Sequence, residues 1–359
     1  MKKLGYLTIL AAAMACGNSQ AEVKISGFAT VAGGKVLSGE GLNGADPSFL
    51  ANYPLVAVYE EDWSFKPETR MGLQVSADLM EGLSVTGQIV SRGADDFDAT
   101  FEWAYLSYRL NDTWTIQAGK KRLPLYYYSD FFDVGYAYLW LRPPADNYTW
   151  QIFNYDGVNA LFNYQLGSWD LSGNIYYGRE DDSRNKLLSD YFFGVQTREI
   201  WKDITGLVLN FNRDWLDIRL TYMTYINERF FIENGVSTAA QWDGKNERRG
   251  NFYGSSFNID YNNIILLTEL NRLDLNGEKF DTYMVSAGYR INTLTPYLSY
   301  ADFDSEGEKH NTTSLGIRYD FHNSAAFKLQ YDRVKDKGTQ GLEVAGDSNS
   351  ITFGVDLVF

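Results

Sequence analysis

The sequence predicts an all-β protein: a closed, antiparallel transmembrane β-barrel of about sixteen strands. Three observations carry the barrel. Apolar residues recur with a period of two almost throughout. The connections between these segments alternate strictly between short and long. Past residue 21, no apolar run approaches the ~18 residues that a membrane helix requires. A membrane-spanning chain of this kind has to close its hydrogen bonds between strands.

The first segment is a leader. Lys2 and Lys3 precede an apolar run from Leu4 to Ala15, and Ser19-Gln20-Ala21 fits a small-residue cleavage site. Residues 1–21 therefore read as a secretory signal peptide cleaved after Ala21. Cys16 offers a rival reading as a lipidated cysteine, but Ala13 stands where such signals carry leucine. Residues 22–359 contain no cysteine and read as one domain. The formal charge is −14, becoming −16 once Lys2 and Lys3 leave. Such acidity argues against a nucleic-acid partner. Aromatic residues make up 16% of the chain, with 26 Tyr and 22 Phe, as strands favour.

Strands are expected at 23–34, 69–80, 83–92, 98–110, 114–121, 155–166, 169–179, 204–213, 215–227, 251–261, 264–274, 280–291, 294–304, 311–321, 326–335 and 349–359. Turns such as Glu81-Gly82, Gly167-Ser168 and Asn262-Asn263 are short. Between them fall the longer connections 35–68, 93–97, 122–154, 180–203, 228–250, 275–279, 305–310 and 336–348. This sorting puts turns on one side of a membrane and loops on the other. A soluble β-sandwich has no reason to sort them. Pro47, Pro54, Pro67, Pro124, Pro143 and Pro144 fall in long loops, and Pro296 near a strand start, where a missing donor does least harm.

Facing follows from parity. Met71, Leu73, Val75, Ala77 and Leu79 point one way, and Arg70, Gln74, Ser76 and Asp78 the other. Leu315, Ile317, Tyr319 and Phe321 oppose Ser314, Arg318 and Asp320 in the same manner. The charged sets fit a wet lumen and the apolar sets lipid. Trp114 and Trp169 open strands just after short turns, where an aromatic girdle belongs. The final strand alternates Ile351, Phe353, Val355 and Leu357 and ends on Phe359.

Signal peptide, strand number, sorted loops and terminal Phe359 together make the chain resemble the Gram-negative porin family. The resemblance implies an integral outer-membrane protein, usually a homotrimer, that passes small hydrophilic solutes and ions by diffusion. It makes Phe359 an assembly signal read by the outer-membrane insertion machinery. Outer-membrane lipid and lipopolysaccharide would surround the barrel.

The resemblance also places the third long loop, residues 122–154, inside the barrel. Tyr126, Tyr127, Tyr128, Phe131, Phe132, Tyr136, Tyr138 and Trp140 are too many rings for a free external loop. By analogy with the general porins, Asp130, Asp133 and Asp146 on this loop would face Arg70, Arg109, Lys121 and Arg122 on the wall. Opposed charges of this kind set a transverse field across a narrow throat. Two other readings stay open. The aromatic run is also compatible with a slide for sugars in a sugar-specific channel, or with packing of the loop on the wall. A barrel that only anchors a surface receptor or adhesin is the non-channel alternative.

Enzyme readings have little support. His310 falls in an expected external loop and His322 in a short turn, on opposite sides of the membrane. They cannot share one catalytic site. No metal or cofactor is expected. Glu180-Asp181-Asp182 reads as a solvated charge run in preference to a calcium loop.

Overall fold

The computed structural model describes residues 22–339 and 346–359. The expected leader, with Cys16, lies outside the described residues, as does part of the last long loop. Sixteen long strands form the barrel: β1 (Val23–Glu40), β2 (Arg70–Met80), β3 (Leu83–Arg92), β4 (Ala99–Arg109), β5 (Trp114–Arg122), β6 (Asn154–Leu166), β7 (Trp169–Asp182) and β8 (Gln196–Arg213). The circuit continues with β9 (Leu216–Glu233), β10 (Arg248–Tyr261), β11 (Ile264–Leu275), β12 (Glu278–Tyr289), β13 (Leu294–Ser305), β14 (Lys309–His322), β15 (Ala325–Asp336) and β16 (Asp347–Val358). Each pairs antiparallel with its neighbours, and β1 pairs with both β2 and β16, closing the sheet. No edge is left for another chain to extend.

The closure is sealed at the turn end. Phe359 N donates to Gly27 O at 3.0 Å, and Gly27 N donates to Phe359 O at 2.8 Å. A Cβ on Gly27 would lie 2.5 Å from the Phe359 ring, so glycine leaves the room that the terminal aromatic occupies. Outward parity holds along the ladder: Met71, Leu315 and Tyr289 are at least half exposed, whereas Arg70, Ser314 and Ser286 are buried. The exposed apolar belt belongs to lipid.

Several hairpins run past their expected ends. β1 continues to Glu40, β7 to Asp182 and β9 to Glu233, while β8 starts at Gln196 and β10 at Arg248. The cause is a break in alternation. β8 slips register against both neighbours between Trp201 and Thr205, with Asp203 at φ 50°. β1 slips between Val36 and Ser38. An extra residue inverts the facing of everything beyond it, so a strict period of two ends there while the strand goes on.

The connection after β1 is more than an external loop. Phe49–Asn52 and Ala57–Tyr59 form a small hairpin. Phe49, Ala51 and Tyr59 pack with Val36, and Leu50 and Tyr53 with Leu187. The largest apolar cluster lies inside the barrel, built from residues 123–153 and inward side chains of β6 to β13.

Candidate functional site

The inserted segment follows a path that its partners trace. It leaves β5 at Arg122 and passes β9, where Arg219 Nη2 donates to Pro124 O at 2.9 Å. Tyr127 N and the Tyr148 hydroxyl both donate to Glu269 of β11. The chain then dips deep into the lumen. Arg318 of β14 donates to Tyr136 O and Tyr138 O, and the Tyr136 hydroxyl donates to Asn323 O in the turn between β14 and β15. On the way back Trp140 Nε1 donates to Ser286 Oγ of β12, and Leu141 N to Gln330 Oε1 of β15. The segment thus touches opposite walls of the lumen.

Two buried ionic clusters hold it. At the first, Arg92 grips Asp133 with both ends of its guanidinium, at 2.7 and 2.6 Å, and reaches Glu102 at 2.7 Å. Arg122 Nη2 donates to Asp133 Oδ2 at 2.7 Å, and Arg70 Nε donates to Asp133 O at 2.9 Å. At the second, Arg142 pairs with Glu68 and donates to Asp332 at 2.9 Å and Thr352 at 2.7 Å. Nearby, Lys328 Nζ donates to Gly135 O and Trp140 O at 2.7 Å and lies 2.9 Å from Asp356. All these charged side chains are buried. Such charges are tolerated because all but Arg70, which donates to a backbone carbonyl, are paired with an opposite charge and hydrogen-bonded.

The expected throat residues therefore separate into five places. Asp133, Arg70 and Arg122 do come together, but as a contact cluster and not as charges facing each other across water. Arg92, on β3, completes that cluster. Asp146 lies elsewhere, with its Oδ1 2.6 Å from His310 Nδ1 near the loop-side end of β14. Arg109 ends β4 at the turn side, beside Asp78, Glu81 and Thr115. It shares lumen parity with Arg70, yet Arg70 begins its strand at the loop side. Parity reports a side chain's face and carries no information on its height. Asp130 is half exposed, its Oδ2 4.0 Å from Arg219 Nη1. Lys121, partly exposed on β5, lies 3.8 Å from the centre of the Tyr105 ring and donates to Gln117 at 2.9 Å.

The aromatic run sorts in the same way. Tyr126, Tyr128, Phe132, Tyr138 and Trp140 are buried. Tyr126 packs on Tyr148 and Trp150, and Tyr128 packs edge-on against Tyr138 and Trp140. These rings fasten the segment to itself and to the wall. Phe131 is 53% exposed, and Tyr127 and Tyr136 are partly exposed. His310 is the second residue of β14, not a loop residue, and stacks on Phe303 at 4.8 Å. It joins Asp146 to Glu308, which accepts from the Tyr53 hydroxyl at 3.0 Å. Burial and Glu308 raise the Tyr53 hydroxyl well above its usual range, so it stays a donor. Arg92, Arg142, Lys328 and the hairpin at residues 49–59 were the parts that pattern reading undervalued. The apolar stretch FLANYPLVAVY, inside a long loop, was the available signal for the hairpin.

A closed barrel of sixteen strands, an inserted third loop and an apolar outer belt describe a pore through a membrane. The Gram-negative porin family profile matches residues 7–356. The chain belongs to the Gram-negative porin family. This porin is therefore an integral outer-membrane channel and not an enzyme.

Solved structures agree with the fold. OmpT of Vibrio cholerae in its trimer form is 12% identical, with 95% of this chain and 100% of that one covered and a TM-score of 0.58. An anion-selective porin from Comamonas acidovorans is 14% identical over 95% and 100%, at 0.57. OmpF of Salmonella typhi, in complex with daunomycin, is 13% identical over 96% and 99%, at 0.60. No curated protein sequence matches the chain.

Proposed function

We propose that small hydrophilic solutes and ions cross this porin between the inserted segment and the β4–β9 wall. The throat charges on that route are Asp130 on one side and Lys121 with Arg219 on the other. The observation that carries this reading is the contrast between two acids three residues apart. Asp133 is neutralised in place by arginines, while Asp130 keeps a half-exposed carboxylate. On that wall Asn159 donates to Gln117 and to the partly exposed Asn174, a polar ladder beside the proposed route.

Charge substitutions test the route. Asp130→Asn removes a negative charge about 4–8 Å from a passing ion, worth about 0.5–1 kcal/mol in water-like surroundings. The reversal potential in a salt gradient should move toward anions, with a permeability ratio changed about two- to fivefold. Lys121→Gln should move it toward cations. Both effects should fade near 1 M salt, where the Debye length is about 3 Å. Arg109→Gln, at the turn-side mouth, should change selectivity far less. Equal shifts from Arg109 and Lys121 would put the selective step elsewhere.

The trimeric Vibrio cholerae relative supports a homotrimer for this porin, which crosslinking in intact membranes would detect as a threefold mass. Phe359 is 69% exposed at the turn-side rim, where the insertion machinery could reach it during assembly. The outer belt would meet lipid and lipopolysaccharide. Truncation of Phe359 should lower the amount of folded protein in the outer membrane, and unchanged levels would count against its role as a signal.

A further inference from the structure

Glu269 of β11 is a buried carboxylate that the solute route does not use. Tyr127 N donates to its Oε1 at 3.0 Å, and the Tyr148 hydroxyl donates to its Oε2 at 2.9 Å. Asn271 Nδ2 lies 3.4 Å from Oε1. The buried acids Asp133, Glu68, Asp332 and Asp356 each face an arginine or a lysine. Among the described residues Glu269 forms no ion pair, and Arg219 of β9 acts on it only through space. We propose that Glu269 is a positioning residue of the throat: as a carboxylate it holds the turn that carries Asp130, and on taking up a proton it lets that turn shift. The proposal rests on the solute route above and adds an acid-sensitive control to it.

The hydrogen bonds at Glu269 run in one direction. Tyr128 N donates to the Tyr148 hydroxyl at 3.1 Å, and that hydroxyl donates in turn to Glu269. The bond from Tyr127 N starts one residue earlier in the same turn. Residues 126–131 are interlocked beyond these points. Tyr126 N donates to Ser129 Oγ at 2.9 Å, Ser129 N to Tyr126 O at 3.2 Å, and Phe131 N to Tyr128 O at 3.0 Å. Asp130 sits inside this turn, so its carboxylate is placed by whatever grips Tyr127 and Tyr128. Three residues on, Asp133 is fixed by Arg92 and Arg122. The throat acid therefore lies between an ionic anchor and an anchor that depends on one carboxyl group.

A carboxylate accepts from all of these donors, whereas a carboxylic acid has to give one hydrogen away. Two oxygens could take it. Tyr148 Oη already accepts from Tyr128 N and would have to turn its own hydrogen elsewhere. Asn271 Oδ1 has no partner, but reaching it means turning an amide whose Nδ2 donates to Asn147 Oδ1 and Thr282 Oγ1 at 3.3 Å. Either choice rearranges the contacts of residues 127–128 or 147–148. The neighbouring elements add few other titratable groups. The register partners of Glu269 on β10 and β12 are Ser256 and Met284. The inserted segment presents the phenols of Tyr126, Tyr128 and Tyr148. From β9 come Arg219 and, at the far end of Tyr127, Asp217, which accepts from the Tyr127 hydroxyl at 3.1 Å.

The test uses the intact porin in a planar bilayer, with open-channel noise and reversal potential read at about pH 8 and about pH 5. The parent should be noisier at the lower pH, with its selectivity moved toward anions. Glu269→Gln has the shape of the protonated acid. At about pH 8, where exposed carboxylates are ionised, it should already show the noise of the acidified parent. Its permeability ratio there should differ from the parent's about 1.5- to twofold, the effect of moving one charge about 2 Å from the ion path. Between the two pH values it should change far less than the parent. Asp217→Asn should keep the parent's pH response. Tyr148→Phe cuts the same chain of hydrogen bonds and should be noisy at both pH values, so it decides the matter if Glu269→Gln does not assemble. Asp130→Asn separates the anchor from the route. No selectivity change in Asp130→Asn discards the route, whereas a change there beside parent-like Glu269→Gln and Tyr148→Phe discards the anchor alone. A parent with the same noise and selectivity at both pH values, a Glu269→Gln variant that follows the parent's pH profile, or a pH response that Asp217→Asn abolishes would each overturn the proposal.

Discussion

Replacing Asp133 by Ala should free the inserted segment from the β2–β5 wall and widen the pore. Its carboxylate is the shared anion of Arg92 and Arg122, each within 2.7 Å. Its removal leaves both guanidiniums to share the Glu102 carboxylate. Stripping one partner from a buried ionic cluster costs about 3–5 kcal/mol, because the remaining charges stay desolvated. That amounts to roughly a hundredfold or more in the docking equilibrium of the segment. Single-channel conductance should rise and become noisier, and the thermal transition of the purified barrel should fall. Asp133→Asn keeps an acceptor and the shape, so it should do the same to a smaller degree. Conductance and stability both unchanged in Asp133→Ala would mean that the cluster does not hold the loop.

The second large effect is expected at Gly135. A Cβ there would lie 1.9 Å from Asp356 Oδ1 and 2.6 Å from Thr30 Oγ1. The backbone cannot easily retreat, since Gly135 O accepts from Lys328 Nζ at 2.7 Å. Thr30 also donates to Asp356 at 2.6 Å, so the carboxylate is pinned from behind. Gly135→Val should therefore push the segment off β1 and β16 and disturb the Lys328–Asp356 pair. Overpacking alone costs about 1–3 kcal/mol, and disruption of the buried pair adds to it. The readouts are again conductance and thermal stability. Ala137→Ser, at an exposed position two residues on, is the control and should change neither. If Gly135→Val behaves like Ala137→Ser, the close approach carries no function.

The two substitutions act on neighbouring contacts of the same loop. Asp133 ties it to β3 and β5, and Gly135 lets it sit against β1 and β16. Between them the segment is fastened to one continuous stretch of wall, from β16 and β1 to β5. The proposed solute route runs where Asp130 and Lys121 remain partly accessible, with the buried Arg219 behind Asp130. The pore is set by what the loop fills more than by the diameter of the barrel.

The barrel itself was legible from pattern. Alternation, turn chemistry and loop sorting are local properties, repeated sixteen times, so small boundary errors do not change the topology. Even the failures were local: Asp203 and the slip near Val36 interrupt the period without ending the strand. The aromatic burden of residues 122–154 required shelter, and the lumen was one such place beside the barrel mouth or a neighbouring subunit. Arg70, Arg122 and Asp133 could be grouped by strand, facing and loop position. Which charges touch is a different matter. Asp146 found His310, and Arg109 stayed at the far mouth. Period and parity encode the face and order of a residue. They do not encode the depth to which a loop descends, nor which of several acids meets which arginine. Those are settled by three-dimensional packing, where the burial of rings such as Tyr138 and Trp140 sets the path of the backbone. Desolvation then compels every charge along that path to find a partner within reach.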